Sequence, residues 1–462
     1  MRDILITVIV FGSLPFILRN PFFGVIMWTW LGLMNPHRLA WGFSLNFPFA
    51  LIVFVTTVMA FAASKEPKKI PVSREIVLLG IFILWMLIST ILAWFPHLAW
   101  AQWDKVWRIQ LGIVLTLMLT NNRQRIHLMV WTICISLGFY GFKGGIWTVL
   151  GGGHNRVYGP DGTFIGGNNE IGLALVMTVP LIWYLIMNTK AIWIRNGLYG
   201  ALGFTMVAII GTHSRGALVG VFIMGIMIIL KSRRKFVPIL GAVAFLAILP
   251  YIAPAEWFAR METIETFEQD QSAQQRLHAW RAATAIANSS VTGGGYDVLI
   301  PTNGTDAHSI YFEVLCEQGY PGLAMFLLLI LMTWLKGSRI KRLTRLRPDL
   351  SWARDLATML QTSLVGYATC GAFLGLGYFD LFYLLIALMV VLYKVVSEEL
   401  VRSTVPAGGA ATPVPGVQFG RQSPGQTPGQ TPGQTPLPAR LANGGALDVA
   451  RMRFGRHRLK HC

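Results

Sequence analysis

The sequence predicts an all-α membrane protein, a polytopic bundle of helices that crosses the bilayer about twelve times. Of its 462 residues, 54% are hydrophobic and only 13% are charged, against about 25% charged residues in an average soluble domain. The apolar residues form long blocks separated by short polar stretches, and about 20 residues of helix cross roughly 30 Å of hydrocarbon. These two observations together exclude a water-soluble fold.

Thirteen apolar windows are candidate spans, and twelve is the preferred count because the first two and the last two windows are short or closely joined. The windows are 4–18, 22–35, 46–63, 76–94, 107–120, 127–148, 169–187, 196–212, 216–231, 236–252, 310–335, 356–375 and 381–396. Arg2 precedes the first window as in a signal peptide, but no small-x-small cleavage site follows it. We therefore interpret the first window as a retained helix.

The distribution of Lys and Arg predicts the orientation, because basic loops stay in the cytoplasm. Basic clusters lie at 65–69, 123–125, 231–235 and 336–347. The remaining connections are then expected outside, at 94–107, 150–168, 212–215 and 253–307. The last of these carries three arginines against seven acidic residues in a chain of net charge +18, which favours the outside assignment.

The long loop 253–307 is expected to contain an amphipathic helix on the outer surface of the bundle. Ser272 and Gln275 have the spacing of a capping box. Leu277, Trp280, Ala283 and Ala287 then recur at helical spacing, and three glycines at 293–295 end the pattern.

Residues 1–400 are thus predicted to form one transmembrane domain that includes the loop 253–307. Beyond it, residues 401–462 contain a repeated Pro-Gly-Gln-Thr unit and a basic end. Such a segment cannot bury enough apolar surface to fold. We expect a disordered basic cytoplasmic tail that touches anionic lipid headgroups.

Several function classes have no support in the sequence. The basic residues lie between apolar blocks and in the tail, so membrane topology explains them better than nucleic-acid binding does. There is no Walker loop, no dinucleotide fingerprint and no His-Glu-x-x-His or Gly-x-Ser-x-Gly motif. The four cysteines show no close spacing, so neither a cysteine metal site nor a disulfide framework is expected, and no cofactor is predicted.

Three arginines on the expected outer side are candidate ligands for an anion. Arg215 lies in the tight turn Ser214-Arg215-Gly216, where backbone amides and a guanidinium would converge on a point suited to a phosphate. Arg276 precedes Trp280 by four residues, and Arg156 lies in a glycine-rich stretch. Plainer alternatives are an Arg215 that extends to the membrane interface, an Arg276 that covers the Trp280 ring and an Arg156 in an ordinary turn.

A histidine and a carboxylate on one predicted helix are further candidates. His308 lies where the long loop re-enters the membrane, and Glu317 lies nine positions later in an apolar helix. Isolated histidines at a membrane boundary are more often structural, whereas carboxylates within a membrane span are functional candidates by default.

These motifs resemble the O-antigen ligase and polymerase superfamily of bacterial envelope glycosyltransferases, over roughly residues 120–395. The matching features are the many spans, the large late loop, and the motifs Ser214-Arg215-Gly216, Ser272-x3-Arg276-x3-Trp280 with Gly293 and Gly295, and His308-Ser309-x7-Glu317-x-Gly319. The N-terminal part and the block 156–172 look closest to the ligases of O-glycosylation type.

The resemblance implies a GT-C-like fold and an enzyme that uses neither nucleotide nor metal. The donor would be a glycan linked through diphosphate to undecaprenol, and the acceptor a sugar of lipid A core, on the periplasmic face of the Gram-negative inner membrane. Arg215 and Arg276, with Arg156, would hold the diphosphate, and His308 would act on the acceptor hydroxyl. Glu317 and Ser214 would support the site. Trp280 could stack on a sugar ring.

Other activities stay open at this stage. A polymerase of the same superfamily, or a ligase whose acceptor is a protein serine, would handle the donor in the same way. A flippase or transporter for lipid-linked glycan also needs many spans and charges within the membrane. Internal repeats would favour a transporter, and none is convincing in the sequence.

Overall fold

The structure is a computed structural model that describes residues 1–231 and 271–404, together with single positions at 236, 239–241, 243 and 247. All regular elements in the described residues are helical, which confirms the predicted all-α class. The α-helices are α1 Arg2–Arg19, α2 Phe22–Met34, α3 Phe49–Ala63, α4 Arg74–Ile91, α5 Pro96–Leu119, α6 Arg123–Leu150, α7 Asn168–Asn188, α8 Ile192–Gly211, α9 Arg215–Lys231, α10 Gln271–Ser289, α11 Leu299–Asn303, α12 Ile310–Leu343, α13 Ser351–Cys370 and α14 Asp380–Thr404.

Six of these helices are long and apolar enough to cross a membrane, which agrees with a polytopic membrane protein. They are α4, α6, α7, α8, α12 and α14, and α2 and α3 are shorter apolar helices. The count of twelve spans stays a prediction. The window 236–252 and the tail from 405 onwards lie largely or wholly outside the described residues.

Helices α7 and α14 form the centre of the bundle. In α7, 83% of the spanning window is buried, and in α14 78%, against 33% in α4 and α8. The central helix α14 packs on α5, α12 and α13, and α7 packs on α6, α8, α9 and α13. The outer helices expose large apolar side chains such as Ile81 and Leu84, the surface expected where a helix faces lipid rather than water.

The predicted cytoplasmic segments meet at one end of the bundle. Glu66 in the α3–α4 connection pairs with Arg125 at the start of α6 at 2.5 Å. Lys336 near the end of α12 pairs with Glu75 at 2.5 Å. We call this the basic end.

At the opposite end, which we call the site end, the described parts of the connections predicted to be outside contact one another. The amide of Trp94 donates to the carbonyl oxygen of Gly294, and the His213 ring contacts the carbonyl oxygen of Gly153.

Several helix boundaries differ from the prediction: α13 begins five residues earlier than predicted, and α14 runs to Thr404, beyond the predicted end at 396 and into the predicted tail. Residues 94–107, predicted as a connection, are helical from Pro96 onwards because Pro is well suited to the first turn and an Asp104–Arg108 pair supports the polar part of α5. Hydropathy misses such a polar extension. The helix α12 runs on to Leu343, beyond the predicted end at 335, and its backbone is broken at Gly319, with φ 67° and ψ −177°.

The predicted helix in the long loop is present as α10. Of the four residues that recur at helical spacing, Ala283 and Ala287 are buried, and Leu277 and Trp280 are half-buried. Ser272, predicted to cap this helix, lies inside it, because helix already begins at Gln271. The loop residues 253–270, which carry five of its acidic side chains, lie outside the described residues.

Candidate functional site

The turn between α8 and α9 places Arg215 at a helix N-terminus. His213 has a left-handed backbone with φ 53°, and its Nε2 lies 2.9 Å from the carbonyl oxygen of Gly153. The Ser214 hydroxyl accepts from the amide of Ala217 at 3.3 Å and so caps α9. Arg215 is therefore the first residue of α9, half-buried, beside amide groups that favour an anion.

Close backbone packing brings this turn to the start of α12. A Cβ at Gly216 would lie 3.1 Å from Cβ of Phe373, in the segment after α13. A Cβ at Gly371 in the same segment would lie 3.0 Å from Cγ1 of Ile310, two residues after His308. The segment 371–373 thus links the Arg215 turn to the His308 turn, which both lie at the site end.

His308 occupies a constrained turn immediately before α12. Its φ of 47° is left-handed, a conformation that costs energy in any residue with a side chain. Asp306 Oδ1 accepts from the amide of Ala307 at 2.6 Å. The imidazole is half-buried, so it can meet both the protein and a substrate hydroxyl.

Arg276 and Trp280 lie one turn apart on α10. The Trp280 indole N–H donates to the carbonyl oxygen of Ala307 at 2.9 Å. Its ring stacks on Phe312 with centroids 4.8 Å apart and planes 7° apart. One face of the Trp280 ring is thus occupied by protein. Arg276 is half-buried.

The glycine-rich stretch 151–167 is bound to the Arg215 turn. The amide of Val157 donates to the carbonyl oxygen of Gly211 at 2.8 Å, and the Asn168 side chain donates to the carbonyl oxygen of Thr212 at 2.9 Å. Arg156, which is half-buried, directly precedes Val157 and is therefore kept close to this turn. The structure brings Arg156, Arg215 and His308 to the same end of the bundle.

Two acidic groups at the site end were not singled out from the sequence. The Glu170 carboxyl, in the first turn of α7, interacts electrostatically with both His308 and Asp306. Its electrostatic interaction with His308 spans more than a hundred residues of sequence and leaves no local signal.

Glu313 is the second of these groups. Its Oε2 accepts from the amide of Gly377 at 2.9 Å, so the segment before α14 closes onto the start of α12. A Cβ at Gly375 would lie 2.9 Å from Oδ2 of Asp306. Only a glycine fits at this position without a shift of the Asp306 side chain. Among the described residues, no three His, Cys, Asp or Glu side chains are placed to share a metal ion.

Glu317 lies deeper, at the break in α12, and contacts backbone. Its Oε1 accepts from the amide of Asp297 at 2.8 Å. The amides of Gly294 and Gly295 donate to the carbonyl oxygens of Cys316 and Glu317 at 2.8 and 3.1 Å. The glycines of the loop and the Glu317-x-Gly319 motif therefore meet in one backbone junction, separate from the Arg215 turn.

Asp297 adds a titratable group to this junction. It has a left-handed backbone with φ 55°. Burial raises the pKa of its carboxyl, and the Lys105 ammonium group of α5 partly offsets this effect. The carboxyl of Asp297 therefore holds a proton more readily than an exposed aspartate does.

Another arginine lies at the site end. Arg38 follows α2, and its guanidinium Nη1 lies 3.4 Å from where a Cβ of Gly162 would be. Arg38 is half-buried. It lies outside the matched motifs, and its short helical turn at Pro36–Leu39 gave no sequence signal.

Comparison with known families divides the chain in two. Residues 1–190 match a family of unknown function, DUF5935. Residues 200–327 match the family model described as O-antigen ligase. No match was found among curated proteins.

The O-antigen ligase match covers the turn of Arg215, the α10 residues Arg276 and Trp280, the turn of His308 and the break at Gly319. Arg156 lies in the other matched region. The all-helical fold and the helices of membrane-spanning length agree with this match. The match over residues 200–327 supports the assignment of this chain to the O-antigen ligase superfamily.

Proposed function

We propose that this protein transfers a glycan from undecaprenyl diphosphate to a sugar of lipid A core, at the periplasmic face of the inner membrane. The observation that carries the proposal is the convergence of the Arg215 turn, the His308 turn and the segment 371–373 at the end opposite the basic loops. The family match supports the ligase class. Basic loops in the cytoplasm would put the site end in the periplasm.

In the proposed reaction, Arg215 and Arg276, with Arg156, bind the diphosphate. The acceptor oxygen forms a bond to the anomeric carbon of the glycan, and the bond from that carbon to the diphosphate oxygen breaks. The departing diphosphate keeps the electron pair, and the guanidinium groups stabilise its charge. His308 takes the proton of the acceptor hydroxyl.

Purified protein in lipid nanodiscs tests the reaction directly. We expect a glycan–lipid A core conjugate from undecaprenyl-diphosphate glycan and lipid A core, without ATP and in the presence of chelator. A longer glycan still attached to its carrier would contradict the acceptor and indicate a polymerase. Activity lost in chelator and restored by one divalent ion would contradict diphosphate binding by arginines alone.

Arginine variants test the donor site. Arg276→Ala is expected to abolish transfer, and Arg276→Lys to restore little of it, because Lys supplies one charge where Arg supplies a bidentate pair of donors. Arg281, exposed on the same helix, provides the matched control, and Arg281→Ala should keep activity. Near-wild-type transfer by Arg276→Lys would argue for simple charge attraction.

A further inference from the structure

Trp280 contacts the chain on both sides of His308. Its indole N–H donates to the carbonyl oxygen of Ala307, the residue before His308, at 2.9 Å. Its ring stacks on Phe312, four residues after His308 and in the first turn of α12, with planes only 7° apart. A single side chain of α10 thus braces the whole His308 turn.

Within that turn, the peptide groups of Ala307 are satisfied by side chains. Its amide donates to Asp306 Oδ1 at 2.6 Å, and its carbonyl oxygen accepts from Trp280. Ala307 is 1% exposed, so water cannot easily replace a lost partner. Because His308 has an unfavourable φ of 47°, its conformation depends on such contacts.

The helix that supplies Trp280 is itself tightly packed. Ala279, Ala283 and Ile286 of α10 form a small core with Ala307 and Cys316. At the far end of α10, Asn288 accepts from the Tyr320 hydroxyl at 2.9 Å. Helix α10 and the first part of α12 are therefore fastened at two points.

We infer that Trp280 is a positioning residue, which holds the His308 turn in register with Arg276 through its bond to Ala307. Arg276 lies four residues before Trp280, on the same face of the same helix. The inference rests on the proposed function for the roles of Arg276 and His308. According to this inference, Arg276, which binds the diphosphate, and His308, which accepts the proton, move together. Binding of the donor then also fixes the position of His308.

Two matched variants separate positioning from general packing. Trp280→Phe keeps an aromatic ring for Phe312 but removes the N–H that reaches Ala307. Tyr320→Phe removes the hydrogen bond from Tyr320 of α12 to Asn288 of α10, distant from His308. Each variant deletes one hydrogen bond between α10 and the segment 307–320, and only the first touches the His308 turn.

In Trp280→Phe, kcat should fall about 10- to 100-fold, the range expected when a reacting group is misplaced by about 1 Å. The KM for donor should stay near wild type, because Arg276 is intact. The amides of residues 307–309 should exchange with deuterium faster in Trp280→Phe than in wild type. Tyr320→Phe should keep wild-type kcat and wild-type exchange at these three residues.

The hydrogen-exchange experiment needs no assumption about the reaction, so it distinguishes failure of this inference from failure of the proposed function. Unchanged exchange at 307–309 in Trp280→Phe would overturn the inference even if the protein is a ligase. Equal loss of kcat in both variants would also overturn it, because it would indicate packing of α10 in general. Faster exchange in a protein that transfers no glycan would contradict the proposed function alone.

Discussion

The carboxylate of Glu317 accepts a hydrogen bond from the backbone amide of Asp297 at 2.8 Å. Glu317 is 5% exposed and lies two turns into α12. Its own carbonyl oxygen accepts from the Ser89 hydroxyl of α4 at 2.6 Å. Glu317 thus joins α4, α12 and the loop before α11, and these contacts favour a structural part for its side chain.

Glu317 should therefore stabilise the protein because its side-chain oxygen accepts a hydrogen bond, and not because it is charged. Glu317→Ala leaves the buried amide of Asp297 without a partner, at a cost of about 1–3 kcal/mol, whereas Glu317→Gln keeps a side-chain oxygen. We expect a clear drop in the thermal unfolding midpoint in detergent for the first variant and a small one for the second. A stable Glu317→Gln protein that transfers no glycan would instead give the carboxylate a part in the chemistry.

Gly319 should tolerate no side chain. Its φ of 67° is left-handed, and a Cβ would overlap the carbonyl oxygen of Val291. We expect Gly319→Ala to destabilise the protein by at least the roughly 1–3 kcal/mol of a strained backbone. Gly203 in α8, with open space around it, is the matched control: Gly203→Ala should unfold no earlier than wild type, as differential scanning in detergent would reveal. Equal midpoints for both variants would contradict the contact at Val291.

The helices were largely predictable because their signal is local. The predicted window 169–187 agrees with α7, Asn168–Asn188, within one residue at each end. A long apolar segment bounded by polar residues must form a helix in a bilayer, because only a helix satisfies all its backbone hydrogen bonds internally. The polar first half of α5 was not predicted, because Gln102 and Asp104 lower its hydropathy without preventing a helix.

The site was predictable only where a motif carried it. Arg215 and His308 stood out because each lies in a turn next to an apolar window. Glu170 and Glu313 did not, because their partners His308 and Gly377 are distant in the sequence. The break at Gly319 was not predicted either, although Gly319 and Pro321 are residue types that often interrupt a helix. Long-range contacts of this kind need the fold.

The Glu75–Lys336 pair at the basic end should be strongly coupled. Both side chains are at most 9% exposed, with N and O 2.5 Å apart. Removing one partner leaves a buried charge, at a cost of about 3–5 kcal/mol. We expect Glu75→Gln and Lys336→Met each to unfold at a lower temperature than wild type. In a double-mutant cycle, the variant that carries both changes should regain much of the lost unfolding midpoint. Additive losses in the double variant would show that the two groups do not interact.

The Glu66–Arg125 pair should give a pH dependence of stability. The hydrogen bond from Arg125 lowers the pKa of the Glu66 carboxyl, outweighing burial. A lowered pKa means that the stabilisation is complete above the ordinary glutamate range and is lost as pH falls through the lowered value. Glu66→Gln should therefore lower the free energy of unfolding by about 1 kcal/mol at neutral pH. The difference in unfolding midpoint between this variant and wild type should disappear in acid. A gap that is constant from neutral to acid pH would exclude this ion pair as its source.

His308 is expected to act as the general base of the proposed transfer. It lies in a turn held by Asp306 and Trp280. Loss of a general base typically costs about 10²- to 10⁴-fold in rate. His308→Ala should lose that factor in kcat and keep donor binding, measured with labelled undecaprenyl-diphosphate glycan.

The pH profile then separates a base from a structural histidine. A base must be unprotonated, so transfer by the wild-type protein should fall in acid, and this fall should disappear from the residual activity of His308→Ala. His278, exposed on α10, is the matched control, and His278→Ala should keep both the rate and the acid fall. If donor binding and stability fail together with transfer in His308→Ala, then His308 holds the turn in place, and the proton acceptor is another group at the site end.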